Sequence, residues 1–163
     1  MAESLKRHFL REKEAKQLLQ QIQQKLEIDI EKQVGTHVEF AESEIATIYI
    51  INNKPLFAKK DDFIFPTLGF DEIVKFLPQI VVNMGAVPHV CNGADVMAPG
   101  VVNISGTFGK DYFVVVVDEQ HKKPLAIGTA LYDSQEMKNL KHGKIITNVH
   151  YVGDKLWHWL RKL

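Results

Sequence analysis

The chain has 163 residues, 45% hydrophobic and 25% charged, with 20 Lys and Arg against 20 Asp and Glu. That length suits one large domain or two small ones, and no apolar run approaches the roughly 20 residues of a membrane span. The single cysteine, Cys91, excludes an internal disulfide and argues against a cysteine-built zinc site, while the charged opening MAESLKRHFLREKEAK lacks the apolar core of a secretion signal, so the expected setting is a reducing cytoplasm with no membrane attachment.

In chain order, SLKRHFL alternates loosely and reads as an edge strand. REKEAKQLLQQIQQKLEI predicts a helix, because Leu18, Leu19, Ile22 and Leu26 recur at helical spacing among Glu, Lys and Gln. THVEFAE, ATIYIINN and KPLFAKKDDFIF are rich in β-branched and aromatic residues, with NNK as a hairpin turn, which predicts a strand meander packed on that helix. Gly69 and Pro78 bracket a short helix with an apolar face of Phe70, Ile73, Val74 and Leu77. A domain boundary is placed there, giving an α+β N-terminal domain over 1–78 and a second domain over 79–163 that is expected to fold alone.

The second part is mostly strand. QIVVN is one strand; GAVPHVCNGA is a short helix from about Ala86 to Gly93, since Pro88 belongs in a first turn. DVMAPGVVNI reads as a strand pair around a Pro99-Gly100 type II turn. DYFVVVVDE and PLAIGTALYD pair through the polar turn EQHKK; SQEMKNLKHG is a helix capped by Ser134 and ended by Gly143; KIITNVHYVGD is the last strand, and KLWHWLRKL a closing turn or helix. Six short strands with two short helices predict a small closed barrel.

Zero net charge does not advertise a nucleic-acid binder. Residues 1–78 carry 11 basic and 13 acidic side chains, residues 79–163 carry 9 and 7, and five of seven histidines lie in the second part. The phosphate-loop, dinucleotide, nucleophile-elbow and zinc-protease motifs are all missing from the sequence. His89 and Cys91 in PHVC stand two apart, a spacing that points helical side chains to different faces, so Cys91 reads as structural rather than nucleophilic. Trp157 and Trp159 suit a sealed core better than base stacking. No catalytic residue, metal site or cofactor is assigned.

NGADVMAPGV is the distinctive stretch. Gly93 suits a left-handed helix end, and Ala94 keeps the next position low. With Gly85-Ala86 upstream, two Gly-Ala pairs flank one short helix whose amides attract anions, making either a ligand groove or simply a tight turn.

VNMGAVPHVCNGADVMAPGV, PLAIGTALYD and GKIITNVHYVGDKLWHW together resemble the PUA domain, an RNA-binding module, over about residues 79–154. With YIINNKPLFAKKDDFIFPTLGF ahead of them, the chain resembles the malignant-T-cell-amplified-sequence translation factors and their archaeal counterparts, which join a small α+β domain to a PUA pseudo-barrel. The resemblance implies a non-enzymatic role in translation, with tRNA or ribosomal RNA as partner and the small ribosomal subunit or a translation factor as a further one. It implies RNA contacts at Gly85, Ala86, Val87, Gly93, Ala94, Asp95, Val96, Met97 and Gly100, with His150 and Tyr151 on the last strand. Lys110, Lys122, Lys123, Lys141 and Lys144 are the candidate phosphate donors. The alternative is a protein-interaction adaptor of the translation machinery with little RNA affinity.

Overall fold

A computed structural model describes residues 6–27, 37–69 and 74–163. The first part is an antiparallel sheet of β1 (Arg7–Phe9), β2 (Val38–Glu42), β3 (Thr47–Ile51), β4 (Lys54–Lys60) and β5 (Phe63–Pro66), in sequential order. Helix α1 (Glu12–Leu26) lays Ala15, Leu18, Leu19, Ile22 and Leu26 into its core. Acidic Glu12 and Glu14 open the helix and Lys25 closes it, as the helix dipole favours. The Asn52-Asn53 turn has both φ angles positive, at 53° and 65°, as a two-residue hairpin loop requires. Asp61 and Asp62 do the same at 50° and 63°, so KPLFAKKDDFIF supplies two strands of the meander, β4 and β5. Of the helix expected after Gly69, residues 70–73 lie outside the described residues; Val74 and Leu77 are buried in the same core.

The second part is a mixed six-stranded sheet, ordered β7-β11-β10-β9-β6-β8. Its strands are β6 (Gln79–Val82), β7 (Val96–Met97), β8 (Val101–Ser105), β9 (Phe113–Asp118), β10 (Pro124–Ala130) and β11 (Lys144–Tyr151), and only β6 and β9 run parallel. Helices α2 (Val87–Val90), α3 (Ser134–Asn139) and α4 (Lys155–Leu160) complete it. The expected closed barrel is instead a curled, open half-barrel: β7 and β8 are its two ends, each bonded to a different inner strand. They are not a pair with each other. Ala98–Gly100 between them is a 3-10 turn, and Gly100 does not take the positive φ of a type II turn.

The β9 run FVVVVD is buried on both sides. Val114 and Val116 face a core with Ile80, Val82, Ala126 and Ile146. Val115 and Val117 face the other way and join the core of the first sheet, together with Phe113, Ile127, Leu156 and Trp159. Trp159 is thus a sealing residue, while Trp157 is half-buried beneath the Arg161 guanidinium, 4.6 Å from its ring centre. The Tyr112 hydroxyl donates to the Leu26 carbonyl at 2.6 Å, tying the end of α1 to the start of β9.

Two small corrections concern α3. Its cap is Asp133, which accepts from the Glu136 amide at 2.8 Å, because the Ser134 hydroxyl is engaged by the Phe108 amide at 3.2 Å. The helix stops at Asn139, and Gly143, with φ of 88°, shapes the loop beyond it.

Candidate nucleic-acid interface

β6 delivers the chain to Asn83, whose side-chain oxygen accepts from the Ala86 amide at 2.9 Å and whose own amide donates to the Gly100 carbonyl at 2.9 Å. One asparagine therefore opens α2 and ties the Ala98–Gly100 turn to it. Gly100 packs so closely that an added Cβ would lie 3.3 Å from the Ala86 Cβ. The Met84 amide donates to Glu119 Oε1 at 3.3 Å and the Val87 amide to the Met84 carbonyl at 3.3 Å. The amides of Met84, Ala86 and Val87, expected to be open to an anion, are therefore engaged within the chain.

α2 ends where Gly93 takes φ of 92°. The Tyr151 ring lies directly over Gly93: a Cβ there would approach its Cε1 to 3.1 Å and its hydroxyl to 3.2 Å. Glycine is favoured here by its backbone angle, and a side chain would also press on the Tyr151 ring. The next residue, Ala94, is exposed.

Asn148 on β11 fastens this loop. Its Nδ2 donates to the Val90 carbonyl at 3.1 Å and the Ala94 carbonyl at 3.0 Å, and its backbone amide donates to Asp95 Oδ1 at 2.8 Å. Asp95 Oδ2 meets Lys144 Nζ at 2.9 Å. Burial works against the Asp95 charge, but the Asn148 amide and the Lys144 ammonium outweigh it and hold its carboxyl below the usual range.

These contacts form a rim from Ala86 and Gly100 to Gly93, Ala94, Asp95 and Tyr151, which Gly85, Val87 and Met97 adjoin in sequence; Gly85, Ala94 and Met97 are exposed and the others half-buried. Val96 anchors the rim from below at 3% exposure. His150 does not join it. The residue is fully buried, its Nδ1 is 2.7 Å from Asp154 Oδ2, and its ring packs near Phe65 of the first sheet. The reason is a bulge: β11 pairs Ile127 with His150 and then Gly128 with Asn148, leaving Val149 as an extra residue. At Gly128 a Cβ would collide with the Ile146 side chain and the Thr147 carbonyl, so only glycine permits this strand contact.

Of the candidate phosphate donors, Lys110, Lys122, Lys123, Lys141 and Lys144 are exposed, and Lys144 is ion-paired with Asp95. Asn83 and Asn148 escaped the sequence reading. The signal for Asn148 was an asparagine inside an apolar strand, where that residue is disfavoured. Among the described residues no group of three or more His, Cys, Asp or Glu side chains is arranged to hold a metal ion.

Residues 78–152 match the PUA domain family, and residues 6–70 match the family described as a domain of unknown function (DUF1947). An uncharacterized protein of Methanocaldococcus jannaschii is 40% identical over 158 residues, covering 94% of this chain and 96% of its own. The chain belongs to the PUA-domain proteins of the malignant T-cell-amplified sequence and translation machinery-associated type. Within that family, translation machinery-associated protein 20 of Schizosaccharomyces pombe is 36% identical over 116 residues, which are 68% of this chain and 64% of that protein. The crystal structure of a hypothetical protein from Pyrococcus horikoshii superposes with a TM-score of 0.79 at 34% identity, covering 95% of this chain and 99% of that one. Among the described residues no helix is long and apolar enough to cross a membrane.

Proposed function

We propose that this PUA-domain protein is a non-enzymatic RNA-binding factor of cytoplasmic translation, taking tRNA or ribosomal RNA on the Gly93–Ala94 rim. One observation carries the reading: Ala94 stands exposed beside Gly93 on a loop that Asn148 and Tyr151 hold in place. The low profile of the rim at Ala94 lets a sugar–phosphate backbone approach, and its rigidity means little order has to be gained on binding. Since the α2 amides are internally bonded, phosphates are met by lysines, and recognition is by shape. We assign the RNA contacts to Gly85, Ala86, Val87, Gly93, Ala94, Asp95, Met97, Gly100 and Tyr151, and retain Pro78 as the proposed boundary between the N-terminal and PUA domains. The names of the relatives place them in translation, which supports the small ribosomal subunit or a translation factor as a second partner.

The Lys144–Asp95 pair, which neutralises a cation beside the rim, favours the adaptor reading instead. Titration with bulk tRNA and with ribosomal RNA over a salt series separates the two. About three to five phosphate contacts give a slope of log affinity on log salt of roughly −2 to −5. Binding that is absent, or flat across salt, leaves the adaptor.

A further inference from the structure

Among the described residues the two sheets have four edge strands: β1, β5, β7 and β8. An open edge recruits foreign strands, and proteins blunt it with charge, proline or brevity. Three of these edges are blunted. β1 has three residues and carries Arg7, paired with Glu39 at 2.9 Å; β5 ends in Pro66 after four residues; β7 has only two. β8 is five residues, VVNIS, without charge or proline. Its one strand neighbour is β6, and Val102 is 51% exposed.

A groove of about 240 Å³ runs between residues 101–104 of β8 and Met137, Lys138, Leu140 and Ile145. Side chains of a strand alternate between faces, so a groove touching four consecutive residues follows the strand's edge. It is smaller than the roughly 300–1,000 Å³ of small-molecule sites and is the size for individual side chains. Lys138 is the one charged residue in its lining. The segment 138–143, KNLKHG, continues with Lys141 and His142 and contains no acid, while Lys144 beyond it is paired with Asp95.

We propose that β8 accepts an extended, acidic peptide segment as an added strand, with alternate side chains in the groove. Main-chain bonds to an edge give such pairing its affinity, and pockets at alternate positions give it selectivity. Lys138, the one charge in the lining, makes the partner acidic. A second copy of the chain fits less well, because its own β8 has no acid to offer Lys138. An RNA strand has no row of amide donors and acceptors for the edge. The proposal does not rest on the RNA reading, and β8 begins directly after Gly100 of the rim.

The test uses the full chain, isotope-labelled, with a synthetic Glu-Val-Glu-Ile-Glu-Val peptide as probe. The expected result is saturable binding with amide shifts confined to residues 101–105 and to α3. The Lys-Val-Lys-Ile-Lys-Val peptide and a backbone N-methylated acidic peptide should each bind at least about tenfold more weakly. Lys138→Glu, an exposed substitution that leaves folding intact, should weaken the acidic peptide by about tenfold or more, roughly 1.4 kcal/mol. Three outcomes overturn the proposal: no saturable binding up to about 1 mM, displacement of the peptide from β8 by oligouridine, or a dimer formed through β8 in the absence of peptide.

Discussion

β11 touches two neighbourhoods that are held together in opposite ways. On one side, Val81, Val115, Val117 and Ile127 of the second sheet merge with Leu156, Trp159 and the first sheet in a single apolar core. On the other, Asn148 and Tyr151 hold the Gly93–Ala94 rim through directed polar contacts and a ring laid against glycine. His150 and Tyr151 are adjacent in sequence, yet His150 belongs to the seam and Tyr151 to the rim. Burial is non-directional and supplies most of the stability. Hydrogen bonds are directional, contribute less, and fix where a loop sits. The seam holds the fold together; the rim positions what the fold presents.

The largest effect comes from breaking the seam outright. A fragment of residues 79–163 exposes Phe113, Val115, Val117, Ile127, Leu156 and Trp159, all buried in the intact chain. Each large side chain returned to water costs about 1.5–3 kcal/mol, and a domain's total stability is only about 5–15 kcal/mol. Calorimetry should show one cooperative transition for the full chain and none for the fragment. A cooperative melt of the fragment would restore the independent folding expected from the sequence and demote the seam to a docking surface.

Next is the polar pair set into the seam. Asp154 accepts from Trp157 N at 2.6 Å and Tyr151 N at 2.9 Å and meets His150 Nδ1 at 2.7 Å. Asp154→Ala removes a helix cap and strands a buried ring, a loss of about 2–4 kcal/mol by denaturant titration. Burial opposes the Asp154 charge, but the His150 contact and the two amides outweigh it and depress its pKa. A carboxyl depressed in the folded state stabilises fully above its unfolded value of about 4, and that stability is lost as pH falls through the folded value. The gap in stability between wild type and Asp154→Ala should therefore close below about pH 4, which melts at pH 7 and pH 3 measure.

Asn148→Ala is milder, at about 1–2 kcal/mol, since it strips the partner from two carbonyls. Its signature is local. Hydrogen exchange should quicken at the amides of Gly93 and Ala94 while the seam keeps its protection, and RNA affinity should fall with the rim's rigidity. Uniform loss of protection would merge the two regions into one cooperative unit.

Helix α1 and the twice-buried run of β9 were legible, because periodicity and β-branched content are local properties of the sequence. Asn52-Asn53 announced its hairpin, but Asp61-Asp62 went unread after Lys59-Lys60 within KPLFAKKDDFIF, although aspartate also tolerates the left-handed region. Asp133 and Ser134 both cap well, and Phe108, distant in sequence, decides between them. The open edge between β7 and β8 depends on non-local pairing that neither strand encodes. The rim was readable from its small residues, but its fastening was not. The bulge at Val149 determines which of His150 and Tyr151 faces outward, and nothing local in KIITNVHY announces it.

The smallest expected change in stability accompanies the sharpest functional test. Ala94 is exposed on the rim, so Ala94→Gln projects a side chain into solvent and should alter stability by no more than about 0.5 kcal/mol. The same side chain occupies the space a sugar–phosphate needs, and RNA affinity should fall about tenfold, roughly 1.4 kcal/mol. The measurement pairs a thermal melt with a tRNA titration on the one variant protein. A normal melt with weakened RNA binding is the predicted result; a normal melt with undiminished affinity would contradict the assignment of RNA to this rim.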